Sequence, residues 1–373
     1  MLMHEYMLMR LDERRLKGNL RALRVCPHTI DFTSNDYLGL ARNLELKKSI
    51  DLRLAEYDGC SHGSTGSRLL TGHSTLSDEL EDYIASFHRS ESALLYTCGY
   101  MANIGLVDAL LEKEDTLIYD SHIHASFRDG IRLAQAKAKP FFHNDLNHLE
   151  KRLKNSYGKV IVCIESVYSL DGSIAPIHEI CELCAMYKAF LIVDEAHAVG
   201  IFGKDGRGLI GALELEEFTF ARIYTFGKAM GVHGAAVVGS RLLREYLTNF
   251  SRPLCYTTAM PPHAIIAISA AYAHMRKANR ERERLSSLIA YFRDKSKSLH
   301  IPISNSLTPI QAIPIPGNKK VRATSLFLAE NGFDVRPIMS PTVRRGHELL
   351  RINIHAFNTT EEIEKLIHAL GII

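Results

Sequence analysis

Two apolar runs that end on chemically capable residues constrain this chain more than anything else in it. Phe190-Leu191-Ile192-Val193 has the unbroken apolar character of a strand buried on both faces, as in a parallel sheet. It leads straight into Asp194-Glu195-Ala196-His197, and open α/β sheets hold ligands beyond the carboxyl ends of their strands. A second run, Ala221-Arg222-Ile223-Tyr224-Thr225-Phe226, ends on Gly227-Lys228, thirty-four residues after Asp194. A lysine held among glycines at a strand end is suited to form a Schiff base with an aldehyde cofactor. An aspartate at a neighbouring strand end is suited to keep a pyridine nitrogen protonated, so that the ring serves as an electron sink. Taken singly, the two segments read as a surface turn and a helix-capping aspartate. Together, in this order, they point to pyridoxal 5'-phosphate.

Composition narrows the class. A chain of 373 residues, 46% hydrophobic and 23% charged, can bury a large core in more than one domain. Its 45 basic and 42 acidic residues leave a net charge of +3, too balanced to argue for a nucleic-acid or membrane partner. The segment Met1-Leu2-Met3-His4-Glu5-Tyr6 lacks a basic n-region and soon meets Asp12-Glu13-Arg14-Arg15, so no signal peptide is expected, nor does any apolar stretch reach bilayer length. Seven cysteines without regular spacing fit reduced thiols and a cytoplasmic location. Cys181-Glu182-Leu183-Cys184 with His178 resembles half a zinc site. However, Ile180, Leu183, Cys184 and Tyr187 recur at helical spacing and no second ligand pair accompanies them, so packing is expected there and no metal.

Along the chain, residues 1–40 read as a basic amphipathic helix to about Arg24 and a short strand, Thr29-Ile30-Asp31-Phe32. Residues 41–262 alternate helical and strand patterns as βα units do. Ser77-Asp78-Glu79-Leu80-Glu81 carries a helix-capping signature, and Ala93–Tyr96, Thr116–Asp120 and Val160–Glu165 read as strands. Residues 263–373 read as a smaller α+β domain, after a long helical pattern that starts at Pro261-Pro262 and is strongly charged from Arg276 to Arg284. Its expected strands are Gln311–Ile313 and Leu350–Ile354.

Further clusters bear on chemistry. His62-Gly63-Ser64-Thr65-Gly66-Ser67-Arg68 is glycine-rich but lacks the lysine and strand context of a nucleotide fingerprint, so its glycines are expected to permit close backbone approach. Cys98-Gly99-Tyr100-Met101-Ala102-Asn103 follows a strand and opens a helix, where free amides suit a phosphate dianion. His122 and His124 lie just past a strand, and a flat imidazole there can cover a cofactor ring. Ser169 also follows a strand and is placed to donate to a cofactor oxygen.

The order of these motifs resembles that of the α-oxoamine synthases, fold-type-I pyridoxal-phosphate enzymes related to aspartate aminotransferase. The likeness runs through Ser34–Leu40, Gly63–Gly72, Gly99–Asn103, His124–Ser126, His143–Asp145, Ser169–Gly172, Asp194–Gly200, Thr225–Val237, Tyr256–Pro262 and Pro341–Val343, nearly the whole chain. It implies an α/β fold with a large domain around a mostly parallel central sheet and a smaller α+β C-terminal domain. By the same resemblance Lys228 binds the cofactor aldehyde, Asp194 the pyridine nitrogen and His197 the phenolic oxygen, while His124 stacks on the ring. Gly99, Tyr100 and Thr225 hold the phosphate region, Ser169 contacts the cofactor, and Thr257 and Thr258 reach the phosphate of a partner subunit in a homodimer. Arg351 matches the residue that binds the amino-acid carboxylate, and Arg21, Asn35 and Thr342 match substrate-contacting positions. Thr65, where many relatives have glycine, and His233, which replaces a smaller residue, depart from the pattern, as do Glu195 and Ala198 around the Asp-x-x-His pair.

The reaction implied is a decarboxylating condensation of an amino acid with an acyl thioester. Ser34–Leu40, Gly234–Ala236 and Tyr256–Pro262 are most like the branch that joins L-alanine to a pimeloyl thioester, carried on coenzyme A or an acyl-carrier protein. Sister branches use glycine with acetyl-CoA, or a long-chain acyl donor. A silent binding subunit of the same fold is disfavoured by the presence of Lys228, Asp194, His197 and His124.

Overall fold

The computed structural model describes residues 3–23, 29–59 and 62–372; Arg24, the expected end of the N-terminal helix, lies outside the described residues. Two compact units emerge, the larger from residues 35–169 and 174–282, the smaller from residues 1–34, 170–173 and 283–373.

The larger unit is built on seven strands: β1 (Ser92–Tyr96), β2 (Thr116–Asp120), β3 (Lys137–Phe141), β4 (Val160–Glu165), β5 (Phe190–Asp194), β6 (Ala221–Thr225) and β7 (Ala235–Gly239). Their order is β1-β7-β6-β5-β4-β2-β3. Neighbours from β6 to β3 are parallel, and β7 alone runs antiparallel to the strands on either side of it. This is the mostly parallel sheet expected. Ile161, Val162, Cys163, Ile164, Leu191, Ile192 and Val193 are all buried, which is why their runs lack a polar alternation. The edge strand β3 is different. Lys137 and Ala138 are exposed and Pro140 sits in it, as an edge strand tolerates, and sequence pattern does not reveal it.

Helices Gly99–Leu110, Ala125–Ala134, Leu146–Lys154 and Ile177–Met186 supply crossovers between strands. Leu106, Val107 and Phe127 pack with Cys163, Ile192 and Ile223 in one apolar core. The capping signature at Ser77 is displaced: the helix runs Thr75–Phe87, and Ser74 caps it by accepting from the Ser77 amide. Cys181 and Cys184 are buried packing residues, and burial pushes their thiols up to about 11 and about 12. The pattern from Pro261 divides into two helices, Pro262–Met275 and Asn279–Ser298.

The smaller unit contains an antiparallel sheet of β8 (Ile310–Pro314), β9 (Arg336–Ile338) and β10 (Leu349–Asn353), in the order β9-β10-β8. The expected strand near Thr29 is the two-residue Ile30–Asp31, paired in parallel with Phe333–Asp334. The N-terminal helix is shorter than expected, Met3–Leu16, and none of its side chains is buried. It stops before Gly18, whose φ of 68° is left-handed. Helix Thr360–Gly371 opens in a capping box between Thr359 and Glu362. No helix among the described residues is long and apolar enough to cross a membrane.

Candidate active site

Within the larger unit, the carboxyl ends of the strands deliver the chemistry-bearing residues. Asp194 closes β5, Thr225 closes β6 and Glu165 closes β4, while helices Gly99–Leu110 and Ala125–Ala134 start close behind β1 and β2. Lys228 lies in the connection 226–234 between β6 and β7. That loop is closed by Phe226 N–H donating to Gly234 O (3.0 Å), Val232 N–H to Phe226 O (2.9 Å) and Gly231 N–H to Lys228 O (2.9 Å). Gly231 has φ 69°, and a Cβ there would lie 2.2 Å from the Ala41 nitrogen, so only glycine lets the turn sit against residues 40–41. Ala229 and Met230 are buried beneath it, which leaves Lys228 half-buried on an anchored turn.

Asp194 is buried and held on three sides. Its Oδ2 accepts from Asn103 Nδ2 (2.9 Å), its Oδ1 from the Ala196 amide (2.9 Å), and its carbonyl from the Ser166 amide (3.0 Å). Asn103 also donates to Ser126 Oγ (3.0 Å), which lies 2.8 Å from His124 Nδ1. His124 is the N-cap of helix Ala125–Ala134 and accepts from the Ser126 amide. A continuous chain, His124–Ser126–Asn103–Asp194, thus fixes the aspartate and the imidazole relative to one another. Burial lowers the pKa of His124 below its ordinary value; Asp194 acts against this shift and Lys228 adds to it. The net shift favours the neutral imidazole.

His197 follows β5 and is buried; its Nδ1 lies 2.8 Å from the Tyr37 hydroxyl. The fully buried Tyr37 in turn donates to Asn35 Oδ1 (3.0 Å), so the segment Ser34–Leu40 reaches the Asp-x-x-His pair through this phenol.

Helix Gly99–Leu110 begins at Cys98 with no side-chain cap, leaving its first amides for another acceptor. A Cβ on Gly99 would lie 2.4 Å from Thr225 Cγ2, so the bare glycine brings the helix start against Thr225. The Thr225 hydroxyl is buried with no hydrogen-bond partner among the described residues. An uncapped helix start beside an orphaned buried hydroxyl suits a phosphate. Tyr100, also at this helix start, turns its hydroxyl to Asp129 and its ring edge-on to His124.

The glycine-rich turn plays the backbone role expected of it. The Ala259 amide donates to Gly66 O (3.0 Å), Ser67 bridges to Thr258, and Ser64 Oγ donates to Met260 O (2.9 Å). A Cβ on Gly72 would lie 2.4 Å from Ala259 Cβ. Thr257 is half-buried and Thr258 exposed in this paired segment. Arg68 joins the turn to the buried Glu81, which also accepts from the Leu95 amide (2.7 Å). Thr65 and His233 are exposed.

In the smaller unit, Arg21 Nη2 donates to Thr342 Oγ1 (3.4 Å), and Asn19 Nδ2 to Ser340 O (2.9 Å), bringing two predicted substrate positions together. Arg351 is half-buried in β10, in register with Arg336 and Ala312. Sequence reasoning missed Asn103, Ser126 and Tyr37 as site residues, although all three lie inside recognised segments. Their importance lies in hydrogen bonds between segments distant in the chain. Only one signal existed beforehand: Asn103, four residues after Gly99, shares its helical face.

Residues 27–370 match the protein family described as Aminotransferase class I and II, the class that the fold and site define. Among curated proteins, the 8-amino-7-oxononanoate synthase of Marinobacter nauticus is 37% identical over 343 residues, covering 92% of this chain and 86% of its own. That of Emericella nidulans is 36% identical, covering 97% and 93%. Among solved structures, a serine palmitoyltransferase variant from S. paucimobilis with a bound PLP–myriocin aldimine gives a TM-score of 0.90 at 25% identity, over 99% of this chain and 96% of that one. The 8-amino-7-oxononanoate synthase of Francisella tularensis gives 0.79 at 30% identity, over 92% and 97%. The chain belongs to the class I and II aminotransferase family, in the branch whose members are named 8-amino-7-oxononanoate synthase.

Proposed function

We propose that the protein is a pyridoxal-phosphate-dependent acyltransferase that condenses L-alanine with a pimeloyl thioester, releasing carbon dioxide and the thiol to give 8-amino-7-oxononanoate for biotin biosynthesis. The observation that carries this reading is the Asp194 cluster, with its carboxylate fixed by Asn103 and the Ala196 amide while the charges of Lys228 and Asp194 both act on His124. Pyridoxal phosphate, when bound, supplies a cationic ring that spreads the electron pair left on the amino acid's Cα.

The protein's own residues do the rest. Asp194 holds a proton at the pyridine nitrogen, and its fixed oxygens need no reorganisation to do so. Lys228 Nζ would hold the cofactor by its carbonyl carbon, and its free amine would take the proton from the alanine Cα. His124 would cover the ring and His197 would orient its phenolic oxygen, with Ser169 as a second polar contact. The Gly99 and Tyr100 amides and Thr225 hold the phosphate. Arg351 binds the alanine carboxylate, and Arg21, Asn35 and Thr342 contact substrate. The Cα–acyl bond then forms as the thiol leaves; the carboxylate departs as carbon dioxide, and a proton returns to the same carbon.

A cytoplasmic homodimer is part of the proposal. Support comes from Thr257 and Thr258, which sit in an exposed segment where a partner's phosphate site could meet them. The decisive assay offers purified protein alanine, glycine or serine against pimeloyl, acetyl and palmitoyl thioesters, including carrier-protein forms. Alanine with pimeloyl thioester is expected to release thiol fastest. The high TM-score to serine palmitoyltransferase motivates the serine–palmitoyl arm. A preference for that pair, or for glycine with acetyl-CoA, would move the protein to a sister branch.

A further inference from the structure

One buried acid at the site has no part in the reaction above. Glu165 ends β4, and its Cα pairs in register with that of Asp194 on β5, so the two carboxyls leave the sheet on the same face. It is only 2% exposed. Its Oε2 accepts from the Ser169 amide (3.0 Å), and the backbone of His124 bears on the same carboxyl. Its Oε1 is buried with no hydrogen-bond partner among the described residues. A buried carboxyl with a vacant oxygen is costly to keep, so its retention calls for a reason. The two backbone segments beside it carry His124 and Ser169.

We propose that Glu165 is a positioning residue that fastens the 121–126 and 166–169 turns, and so sets where His124 and Ser169 stand against the cofactor beside Asp194. It does so as a neutral acid. Burial, and after it the charge of Asp194, raise its pKa to about 8, with Lys228 acting in the opposite direction. The other titratable groups facing it are His124 and the buried Tyr168, whose phenol is itself pushed well up by burial. At neutral pH the proton on Glu165 spares Asp194 a second negative charge across the β4–β5 pair. Glu165 can thus hold both turns without competing for the positive charge that Asp194 has to stabilise.

The inference rests on pyridoxal phosphate being the cofactor, but part of its test does not. Hydrogen–deuterium exchange of the full-length, cofactor-free protein should show peptides covering 121–126 and 166–169 exchanging about tenfold faster in Glu165→Ala, with Glu165→Gln close to wild type. After loading with pyridoxal phosphate, the visible circular dichroism of the bound ring should change in Glu165→Ala and be restored in Glu165→Gln. The unfolding temperature of Glu165→Gln should rise relative to wild type between pH 5 and pH 8, because the wild-type fold retains a proton that the unfolded chain gives up. Unchanged exchange in both segments of Glu165→Ala would overturn the proposal. Should that variant not fold, a Glu165→Gln protein with no such pH-dependent gain would overturn it. Wild-type protein that takes up no pyridoxal phosphate would instead overturn the cofactor reading, leaving the exchange result to decide what Glu165 holds.

Discussion

The carboxyl edge of the large sheet and the Arg21–Thr342 pair of the smaller unit are built to opposite standards. Around Asp194, every donor is itself held: Asn103 bonds both Ser126 and the aspartate, Ser126 bonds His124, and the strands behind them are buried on both faces. Arg21 and Thr342 meet through one 3.4 Å bond, and both side chains are exposed. The first arrangement suits a reaction step common to a whole family, where a misplacement of an ångström is expensive. The second suits a choice between acyl donors, which can be altered without disturbing the core. On the proposed reading, chemistry belongs to the stiff region and specificity to the adaptable one.

The contrast can be broken by mutation, with effects ranked by region. Lys228→Ala should lose on the order of 10²–10⁴ in turnover, since it removes the group proposed to move the Cα proton. Asp194→Asn should retain cofactor yet lose about tenfold or more in kcat, because a charge-assisted bond worth about 1.5–3 kcal/mol is lost at the ring nitrogen. Near-wild-type turnover would mean that another group serves the nitrogen. In the smaller unit, Thr342→Ala should change kcat little and shift KM for the acyl thioester a few-fold at most, measured by steady-state kinetics. A thousandfold loss of kcat there would erase the proposed division of labour. The alanine methyl should give about 1–3 kcal/mol of preference over glycine, so some glycine activity is expected.

A smaller effect concerns stability. Burial raises the carboxyl of Glu195 to about 7. The folded chain therefore keeps this proton while the unfolded chain, with an ordinary carboxyl, loses it as pH rises. Stability linked to Glu195 is intact below the ordinary carboxylate range and falls as pH climbs towards 7. Glu195→Gln should flatten the fall in stability between pH 5 and pH 7 in denaturant titrations, leaving the part that Glu165 contributes over the same range; an unchanged slope would show that Glu195 does not cause it.

The sequence was legible where local pattern and position coincide. Val160–Glu165 and Phe190–Val193 read as strands because nothing polar interrupts them, and their last residues fall at the sheet's carboxyl edge for the same reason. β3 escaped notice because an exposed edge strand carries Lys137, Lys139 and Pro140, and β7 because Ala235-Ala236-Val237 reads as the tail of the lysine segment. The Ser74 cap was misplaced by three residues since Ser74, Thr75 and Ser77 are all capping types and only geometry separates them. Lys228, Asp194, His124 and His197 announced themselves at strand ends. Asn103 and Tyr37 did not, for their partners lie 91 and 160 residues away.

On the proposed reading, the turn after β6 presents Lys228 to a carbonyl cofactor beside Asp194. Borohydride reduction of the protein loaded with pyridoxal phosphate, followed by peptide mass spectrometry, tests it most directly. A single reduced pyridoxyl adduct on Lys228 is expected. An adduct on any other lysine, or none on protein that binds the cofactor, would contradict it.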